Sequence, residues 1–553
     1  MIEDFRTVDV SVPIAGDVCI VGAGAAGIVL ALELSKAGLR VILLESGDAL
    51  PNDSDQILNE GEITGDPFTG LTEGRIRGFG GATRRWFGQC IRFDSIDLEQ
   101  RDWVPYSGWP ISPDELDVWY PGAERFFHIE GESYDDHLYR KVGKAPPLWR
   151  EEELRAHFTV YTPRINLGAL HHRDVKDDPR ILLLLKANAL EVTTSAGGMV
   201  CTGVRVGSLD GKLGQVHAPV VVLSSGGIEN ARLLLLSRSH KKKGLGNDRD
   251  LVGRFLQDHP NAKTANVYPT NTRALHALFA LQYRGSSRYF PKFCLDSRKQ
   301  EAERCLNCTT HLVFEQAEAS GLAACREIYR AWRRDLPIPD LGSKLLRIAK
   351  DLPSVLQSSA IFFLLGKSPL GKPVSVRLQC HLEQQPDPES RVTLSQEKDL
   401  LGIPKARVHW KVNEAERATM RIATKTMRDE LSRLGLAQVE MDQWLADDEA
   451  DWKSHITDSY HHIGTTRMGV DENHGVVDEN CEVFGTQGLF VAGSSVFPTS
   501  GYANPTLTIV ALSLRLAHHI AETLAVSHTV SSRRELELAE APQVAVVSGA
   551  LKA

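Results

Sequence analysis

Short, uninterrupted runs of apolar residues mark the first part of the chain. Val18 to Val21 and Val41 to Leu44 are apolar throughout, without the polar alternation of a half-exposed strand. Such runs predict strands that are buried on both faces of a parallel sheet. Between them, Ala25 to Ala37 has the length and composition of a helix, and Gly38 follows as a helix terminator. Strand, helix and strand in succession predict a parallel βαβ unit.

The later part of the chain shows the same patterns at wider intervals. The predicted strands are 189–194, 203–206, 220–224 and 489–491, and the predicted helices are 230–236 and 506–524. Residues 263–454 alternate polar helical stretches with β-like segments. Residues 527–553 mix small and charged residues, which predicts a loosely ordered tail.

Composition narrows the class of protein. The 553 residues are enough for roughly two to four domains, and 42% hydrophobic with 24% charged residues is typical of a soluble globular protein. A net charge of −8 argues against a nucleic-acid partner. Nine scattered cysteines indicate reduced thiols and a cytoplasmic protein. The start of the chain does not have the pattern of a secretory signal, and the longest apolar run, 360–366, is too short to cross a bilayer.

A glycine-rich turn joins the first predicted strand to the helix. Gly22, Gly24 and Gly27 form G-x-G-x-x-G, in which the first glycine allows a tight turn and the second lets the backbone approach a pyrophosphate. The third lets helix and strand pack closely, and the helix N-terminus supplies donors to the phosphates. Glu45 ends the second strand, 18 residues after Gly27, where a carboxylate accepts hydrogen bonds from a ribose diol. Together they predict a dinucleotide site.

A second glycine-containing turn favours FAD over NAD as the dinucleotide. The late apolar strand 489–491 runs into Ala492-Gly493-Ser494-Ser495. If this strand returns to the first sheet, its small residues let the backbone approach a large cofactor. The flavin of FAD then reaches a second domain.

Seven ordered stretches together resemble the glucose–methanol–choline (GMC) oxidoreductase family. Any one of them alone is weakly specific, but their occurrence in this order along most of the chain is highly specific. They are VGAGAAG with Glu45, GFGGATRRWFGQC with the later GWP, VVVLSSGGIENARLLLLS, VGRFLQDHP, EQQPDPESRVTLS, HHIGTTRMG, and the closing VVDENCEVFGTQGLFVAGSSVFPTSGYANPTLTIVAL.

The resemblance implies an α/β flavoprotein with two domains. A discontinuous, Rossmann-like FAD-binding domain would comprise 14–95, 160–262 and 455–526. An α+β substrate-binding domain would comprise 96–159 and 263–454. The cofactor would be FAD, held non-covalently, because Arg85 stands where some relatives carry the histidine that bonds to FAD.

The resemblance also assigns site residues. The family's histidine base in H-x-x-G-T corresponds to His461, and its second catalytic position corresponds to Asn504, which resembles the branch containing pyranose oxidase and fructose dehydrogenase. His462 fills a variable position and is expected to point away from its neighbour. The implied FAD-binding residues are Gly22, Gly24, Ala25, Ala26, Gly27, Glu45, Ser46, Gly80, Gly81, Ala82, Val192, Gly226, Ser494, Asn504, Pro505 and Thr506.

Other candidate sites have weaker patterns. Cys305 and Cys308 form C-x-x-C but lack a second pair at metal-binding spacing, so we expect no metal site. His259, in Asp-His-Pro, is expected to be structural rather than catalytic. The basic and apolar segment 326–366 is expected to be a solvated helix face followed by a core segment, with a lid or membrane-surface patch as the alternative.

The expected function is therefore FAD-dependent oxidation of a CH–OH group of a sugar, glycoside or polyol, by hydride transfer to flavin with a histidine base. Two alternatives stay open: the same chemistry on a natural-product or steroid alcohol, and a non-redox flavoprotein similar to the family's hydroxynitrile lyases. The sequence leaves open whether oxygen or another carrier is the electron acceptor, and it leaves open the oligomeric state.

Overall fold

Six parallel strands form the sheet that contains the first βαβ unit. The computed structural model describes residues 1–317, 320–333, 338–365, 368–370 and 373–540. In spatial order the six strands are Ile2–Asp4, Ile181–Leu185, Val41–Leu44, Val18–Val21, Val220–Leu223 and Leu489–Val491. The two strands of the βαβ unit have the predicted bounds, and the late strand returns to this sheet beside Val220–Leu223.

Burial explains why these short apolar runs become strands. Every residue of Val18–Val21, Val41–Leu44 and Val220–Leu223 is buried, since helices cover the sheet. The helix Ala25–Lys36 packs against the last helix, Thr506–Glu540. Continuous apolar strands in a covered parallel sheet are the expected outcome of this sequence pattern.

Three further sheets complete the strand inventory of the described residues. A four-stranded sheet has the order Ile14–Ala15, Leu213–His217, Cys201–Gly207 and Asn188–Thr194. An eight-stranded sheet has the order Ala437–Met441, Asn261–Pro269, Pro373–Leu382, Cys308–Gln316, Ser287–Leu295, Leu154–Tyr161 and Gln89–Cys90, with Gln282–Arg284 paired to Ser287–Leu295. A three-stranded sheet has the order Arg391–Lys398, Pro404–Trp410 and Gly61–Gly65.

The helices connect and cover these sheets. The α-helices are Ala25–Lys36, Asp53–Gln56, Ser95–Leu98, Pro113–Asp117, Tyr120–Phe126, His137–Lys141, Leu167–Leu170, His172–Asp177, Gly227–Leu236, Thr272–Phe279, Ser297–Glu303, Gly321–Arg333, Leu341–Lys350, Leu352–Leu365, Glu414–Arg433, Gln443–Ala446 and Thr506–Glu540. Short 3-10 helices are Ile57–Asn59, Gly81–Arg84, Ala196–Gly198, Lys453–His455 and Ser494–Val496. Among the described residues, no helix is both long and apolar enough to cross a membrane.

Several predicted boundaries differ from the structure: the helix predicted at 230–236 is Gly227–Leu236, and the strand predicted at 203–206 is Cys201–Gly207. The last helix continues to Glu540 and not to residue 524, while 541–553 of the predicted loose tail lie outside the described residues. Strand Gly61–Gly65, from the segment assigned to FAD binding, pairs with Pro404–Trp410 from the segment assigned to the substrate domain. Cross-segment pairing of this kind has no local sequence signal, because it depends on long-range register.

Candidate active site

A cavity of about 1200 Å³ lies where several strands of the parallel sheet end. Its lining includes the residues that directly follow three of these strands, Gly22, Glu45 and Ser224, and Gly493, the second residue after a fourth. From there it extends to a face of the eight-stranded sheet. Ligands of open α/β sheets bind outside the carboxyl ends of the strands, so the position fits a large nucleotide cofactor.

The glycine-rich turn forms a cradle at one end of this cavity. Gly22 has a φ of +105°, which favours glycine, and the helix begins at Ala25 directly after Gly24. A Cβ on Gly24 would meet no protein atom within 4 Å, whereas a Cβ on Gly27 would lie 1.9 Å from the carbonyl oxygen of Gly22. Gly24 therefore leaves space open to the cavity, and Gly27 allows the helix to pack against the turn. The cradle fits the pyrophosphate of FAD.

Backbone N–H groups hold the carboxylate of Glu45 in a fixed position beside the cradle. The N–H of Ala23 donates to Oε2 (3.1 Å), and those of Gly47 and Gly78 donate to Oε1 (both 2.9 Å). Glu45 is 5% exposed and lines the cavity. A carboxylate ordered in this way is suited to accept hydrogen bonds from a ribose diol.

Most of the residues predicted for FAD and catalysis lie along this one cavity. Gly27, Gly80 and Val192 do not line it. Gly80 donates its N–H to the carbonyl of Ala23 (2.9 Å), so it holds the two glycine-rich loops together. The lining includes Gly22, Gly24, Ala25, Ala26, Glu45, Ser46, Gly81, Ala82, Gly226, His461, Ser494, Asn504, Pro505 and Thr506.

The cavity wall near the predicted Val192 is formed by its neighbours. Val192 is 2% exposed, and its N–H donates to the hydroxyl oxygen of Ser237 at 2.9 Å. Residues 187–189, at the start of the same strand, line the cavity instead. Val192 itself does not line the cavity, and its assignment to FAD binding stays a prediction from the resemblance.

The adjacent histidines point to different surroundings. The ring of His461 contacts that of His259, with centroids 4.9 Å apart, whereas the ring of His462 contacts Phe68, with centroids 5.9 Å apart. Burial, and secondarily the charge of Arg75, lowers the pKa of His462 to about 3. Both residues line the cavity, but their rings face different groups, as expected for neighbours on an extended chain.

Hydrogen bonds determine the protonation pattern of His461. The backbone oxygen of Ser500 can only accept, so Nε2 of His259 at 3.1 Å donates to it. Burial lowers the pKa of His259 to about 4, so this ring is neutral and its Nδ1 accepts. The Nδ1 of His461, 2.7 Å away, is then the donor. Burial also holds the pKa of His461 well below its usual value, so Nε2 of His461 carries the lone pair of a neutral base.

The residue before His259 fixes the backbone around the pair. Asp258 is fully buried, and its carboxylate accepts backbone N–H bonds from His259, Ser459 and His461 at 2.6 to 3.1 Å. Burial raises the pKa of Asp258 to about 7. His259 was expected to be structural, and the structure adds a direct contact between its ring and that of the predicted base, His461.

His259, His381 and His461 also satisfy the spacing of a metal site. One ligand atom from each lies within 4.8 Å of the others. Both ring nitrogens of His259 are, however, engaged by Ser500 and His461. These hydrogen bonds already account for the close approach of His259 and His461.

The eight-stranded sheet gives the cavity a polar floor. His311 pairs with Gln379, and Asn261 pairs with His381, on neighbouring strands, so each pair presents its side chains on one face. Lys292 continues the row on the next strand, and all five residues line the cavity. Such donors and acceptors match a ligand with several hydroxyl groups.

Lys292 connects this floor to Asn504. Its Nζ donates to Oδ1 of Asn504 at 3.2 Å, which leaves the amide N–H groups of Asn504 as donors for another oxygen. Asn504 precedes Pro505 and the long helix that begins at Thr506, so the start of this helix also lies at the cavity. No sequence motif indicated Lys292, although alternating polar residues in VSVRLQCHL were a signal for the floor.

Comparisons with known proteins agree with this geometry. Residues 386–513 match the family described as GMC oxidoreductase, and residues 17–242 match the family described as FAD dependent oxidoreductase. The chain is 35% identical over 472 residues to a C-glycoside 3-oxidase of Microbacterium trichothecenolyticum, covering 80% of this chain and 75% of that protein. It is 23% identical over 594 residues to the fructose dehydrogenase large subunit of Gluconobacter japonicus, covering 92% of this chain and 98% of that protein.

A solved structure shares the fold. A formate oxidase of Aspergillus oryzae superposes with a TM-score of 0.55 at 16% identity, covering 92% of this chain and 99% of that one. The chain belongs to the GMC oxidoreductase family and is an FAD-dependent oxidoreductase. The resemblance found in the sequence is thereby confirmed, as is the mixed α/β fold.

Proposed function

We propose that this enzyme oxidises a CH–OH group of a sugar, glycoside or polyol, with His461 as the general base. One observation carries the proposal: a single cavity joins the glycine cradle to His461 and Asn504 across a floor of polar side chains. A site for an apolar alcohol has no need for five polar residues on one sheet face.

FAD would be held mainly by the cradle and by Glu45. Gly24 leaves room for the pyrophosphate, and the first turn of the helix at Ala25 supplies N–H donors. Bound FAD supplies the hydride acceptor. We propose that it is bound non-covalently, because the residue at the position of the family's linking histidine is Arg85, which lines the cavity but cannot form that bond.

The protein groups supply the proton chemistry. Hydride leaves a carbon readily only as its hydroxyl loses a proton, so a base must lie within hydrogen-bond reach of that hydroxyl. Nε2 of His461 takes this proton. Nδ1–H of His461 meanwhile donates to His259, which keeps the ring in the required tautomer. Asn504 donates an amide N–H to the substrate oxygen and cannot act as the base.

The printed names of the relatives support a polyhydroxylated substrate. They include a C-glycoside 3-oxidase, a fructose dehydrogenase large subunit and a paromamine 6′-oxidase. Both oxidases and dehydrogenases occur among them, so we keep oxygen and another carrier as alternative acceptors. We also propose that the chain is divided into an FAD-binding domain and a substrate-binding domain. We propose a cytoplasmic location for the protein, because its nine cysteines are free thiols.

Anaerobic flavin reduction tests the proposed function. The purified enzyme is mixed without oxygen with sugars, glycosides, polyols, apolar primary alcohols and sterols, and the flavin absorbance near 450 nm is followed. We expect sugars, glycosides or polyols to bleach the flavin. Bleaching by apolar alcohols or sterols alone would overturn the substrate class. An absence of bleaching by every compound would overturn the oxidation itself.

A further inference from the structure

Lys292 is a buried cation at the substrate end of the cavity. It lies on strand Ser287–Leu295, is 4% exposed, and lines the cavity. Its ammonium group has three N–H donors, but in the described part of the chain its one side-chain hydrogen bond goes to Asn504. Among the described residues, no carboxylate lies within ion-pair distance of Nζ of Lys292. Burial lowers the pKa of Lys292 to about 8. A buried charge without a counterion is costly and marks a functional site.

The acidic side chains of the cavity are already engaged elsewhere. Glu229 pairs with Arg75 at 2.5 Å and with Arg232 at 3.1 Å, and Arg232 also pairs with Asp399 at 2.6 Å. Glu45 accepts from three backbone N–H groups. The lining also holds Glu73, which accepts from the hydroxyl of Tyr460, and Asp458, whose Oδ1 accepts from the backbone N–H and the hydroxyl of Thr69. None of these five carboxylates lies within ion-pair distance of Nζ of Lys292.

The histidines that face Lys292 do not neutralise it either. Burial, with a contribution from the charge of Lys292, lowers the pKa of His259 and of His157, which pairs with Lys292 on the neighbouring strand, to about 4 and that of His311 to about 3. The pKa values of His381 and His461 also lie well below the usual range. All five rings are neutral at pH 7. The polar floor thus carries one uncompensated positive charge.

We propose that Lys292 binds a carboxylate of the substrate, so that sugar acids and carboxylate-bearing glycosides are preferred over neutral sugars. The inference rests on the proposed oxidation of a CH–OH group in the same cavity. An ammonium–carboxylate hydrogen bond is among the stronger protein interactions, and a lysine binds such an anion as a point charge. The link from Lys292 to Asn504 places this anion next to the residue that holds the reacting oxygen.

Two pairs of compounds measure the effect of the ligand's negative charge separately from its shape. Acetate and acetamide, titrated into the oxidised holoenzyme, are compared by the change in the flavin spectrum. D-glucuronate and D-glucuronamide are compared as reductants in anaerobic stopped flow. Within each pair the two compounds have nearly the same shape. We expect acetate to bind at least about tenfold more tightly than acetamide. We expect kcat/KM for glucuronate to exceed that for glucuronamide by the same factor, because one charge-assisted hydrogen bond contributes about this much.

Two lysine variants test whether Lys292 causes the preference for the carboxylate. Lys292→Met removes the charge and keeps the apolar stem, and it should reduce the acid-to-amide ratios to about one. Lys263→Met is the matched control, because Lys263 lies on a strand of the same sheet, is paired with Glu315 and does not line the cavity. Its ratios should equal those of the wild type.

Several outcomes would overturn the inference. Acid-to-amide ratios near one in the wild-type enzyme would overturn it. The proposed function would still stand in that case if neutral sugars reduce the flavin. Equal losses for glucuronate and glucuronamide in Lys292→Met would show that Lys292 serves the reacting oxygen instead. If no sugar reduces the flavin, the proposed function fails, and the acetate titration alone decides whether Lys292 is an anion site.

The pH dependence of acetate binding to the wild type is a further test. Acetate should bind more weakly as the pH rises through about 8, where Lys292 loses its proton. Burial keeps the facing histidines neutral and raises the pKa of the neighbouring Cys294 thiol to about 12, so these groups do not titrate between pH 7 and 9. Asp258, whose pKa burial raises to about 7, does titrate there, and the same titration of Lys292→Met measures its contribution. Binding that is constant over this range would contradict the role of Lys292.

Discussion

The Nδ1 of His259 lies 2.7 Å from the Nδ1 of His461, and the second nitrogen of His259 donates to the carbonyl of Ser500. A backbone carbonyl accepts at any pH, so this chain of hydrogen bonds has one direction. It leaves the basic nitrogen of His461 on the ring edge away from His259. The pair is thus a neutral imidazole and the residue that sets its tautomer, although the two histidines are 202 residues apart.

His259→Phe tests this pairing. The phenyl ring keeps most of the volume but removes the acceptor, so Nδ1–H of His461 loses its partner and the tautomer is no longer fixed. We expect the rate of flavin reduction to fall roughly 10- to 100-fold, less than on loss of the base itself. FAD content should be unchanged, and the acid limb of the pH profile should shift. A normal rate with a normal pH profile would show that His259 has no positioning role.

Gly24 and Gly27 should respond differently to the same substitution. Gly24→Val adds a side chain where no protein atom lies within 4 Å, so the variant should fold but lack FAD, as judged by its absorbance ratio at 280 and 450 nm. Gly27→Val forces a contact with the Gly22 carbonyl and should lower the free energy of unfolding by about 1–3 kcal/mol. Full FAD content in Gly24→Val would place the pyrophosphate elsewhere.

Acid precipitation tests how the cofactor is held. Since Arg85 cannot bond covalently to FAD, trichloroacetic acid should release the flavin into the supernatant at about one FAD per chain. The protein pellet should be colourless. A yellow pellet would show a covalent bond to a residue other than Arg85.

The buried ion pair between Arg101 and Glu383 should matter for stability. Their side chains are 1% and 0% exposed, and two hydrogen bonds of 2.8 and 2.5 Å join them. Arg101→Met leaves a buried carboxylate unpaired and should cost about 3–5 kcal/mol in urea unfolding. The exposed pair of Arg249 with Glu472 is the control, and Arg249→Met should cost no more than about 1 kcal/mol. Equal costs would contradict this difference.

The sequence predicted local structure and motif positions well. Strands 18–21, 41–44 and 489–491 have the expected bounds, because continuous apolar runs flanked by glycine leave few alternatives. The polar floor and the contact of His259 with His461 were not predicted. Both depend on strand register and on chain segments that meet only in the folded protein. Lys292 was missed for the same reason, since one lysine in a strand has no local signature.

His461 as the base is the central claim, and stopped-flow reduction of two neighbouring variants tests it most directly. His461→Ala should bind FAD normally but reduce it more slowly by on the order of 10²–10⁴, the range for a lost general base. His462→Ala, whose ring faces Phe68 and Arg75, should lose much less rate. If His462→Ala is the inactive variant and His461→Ala is nearly normal, the assignment of the base is wrong.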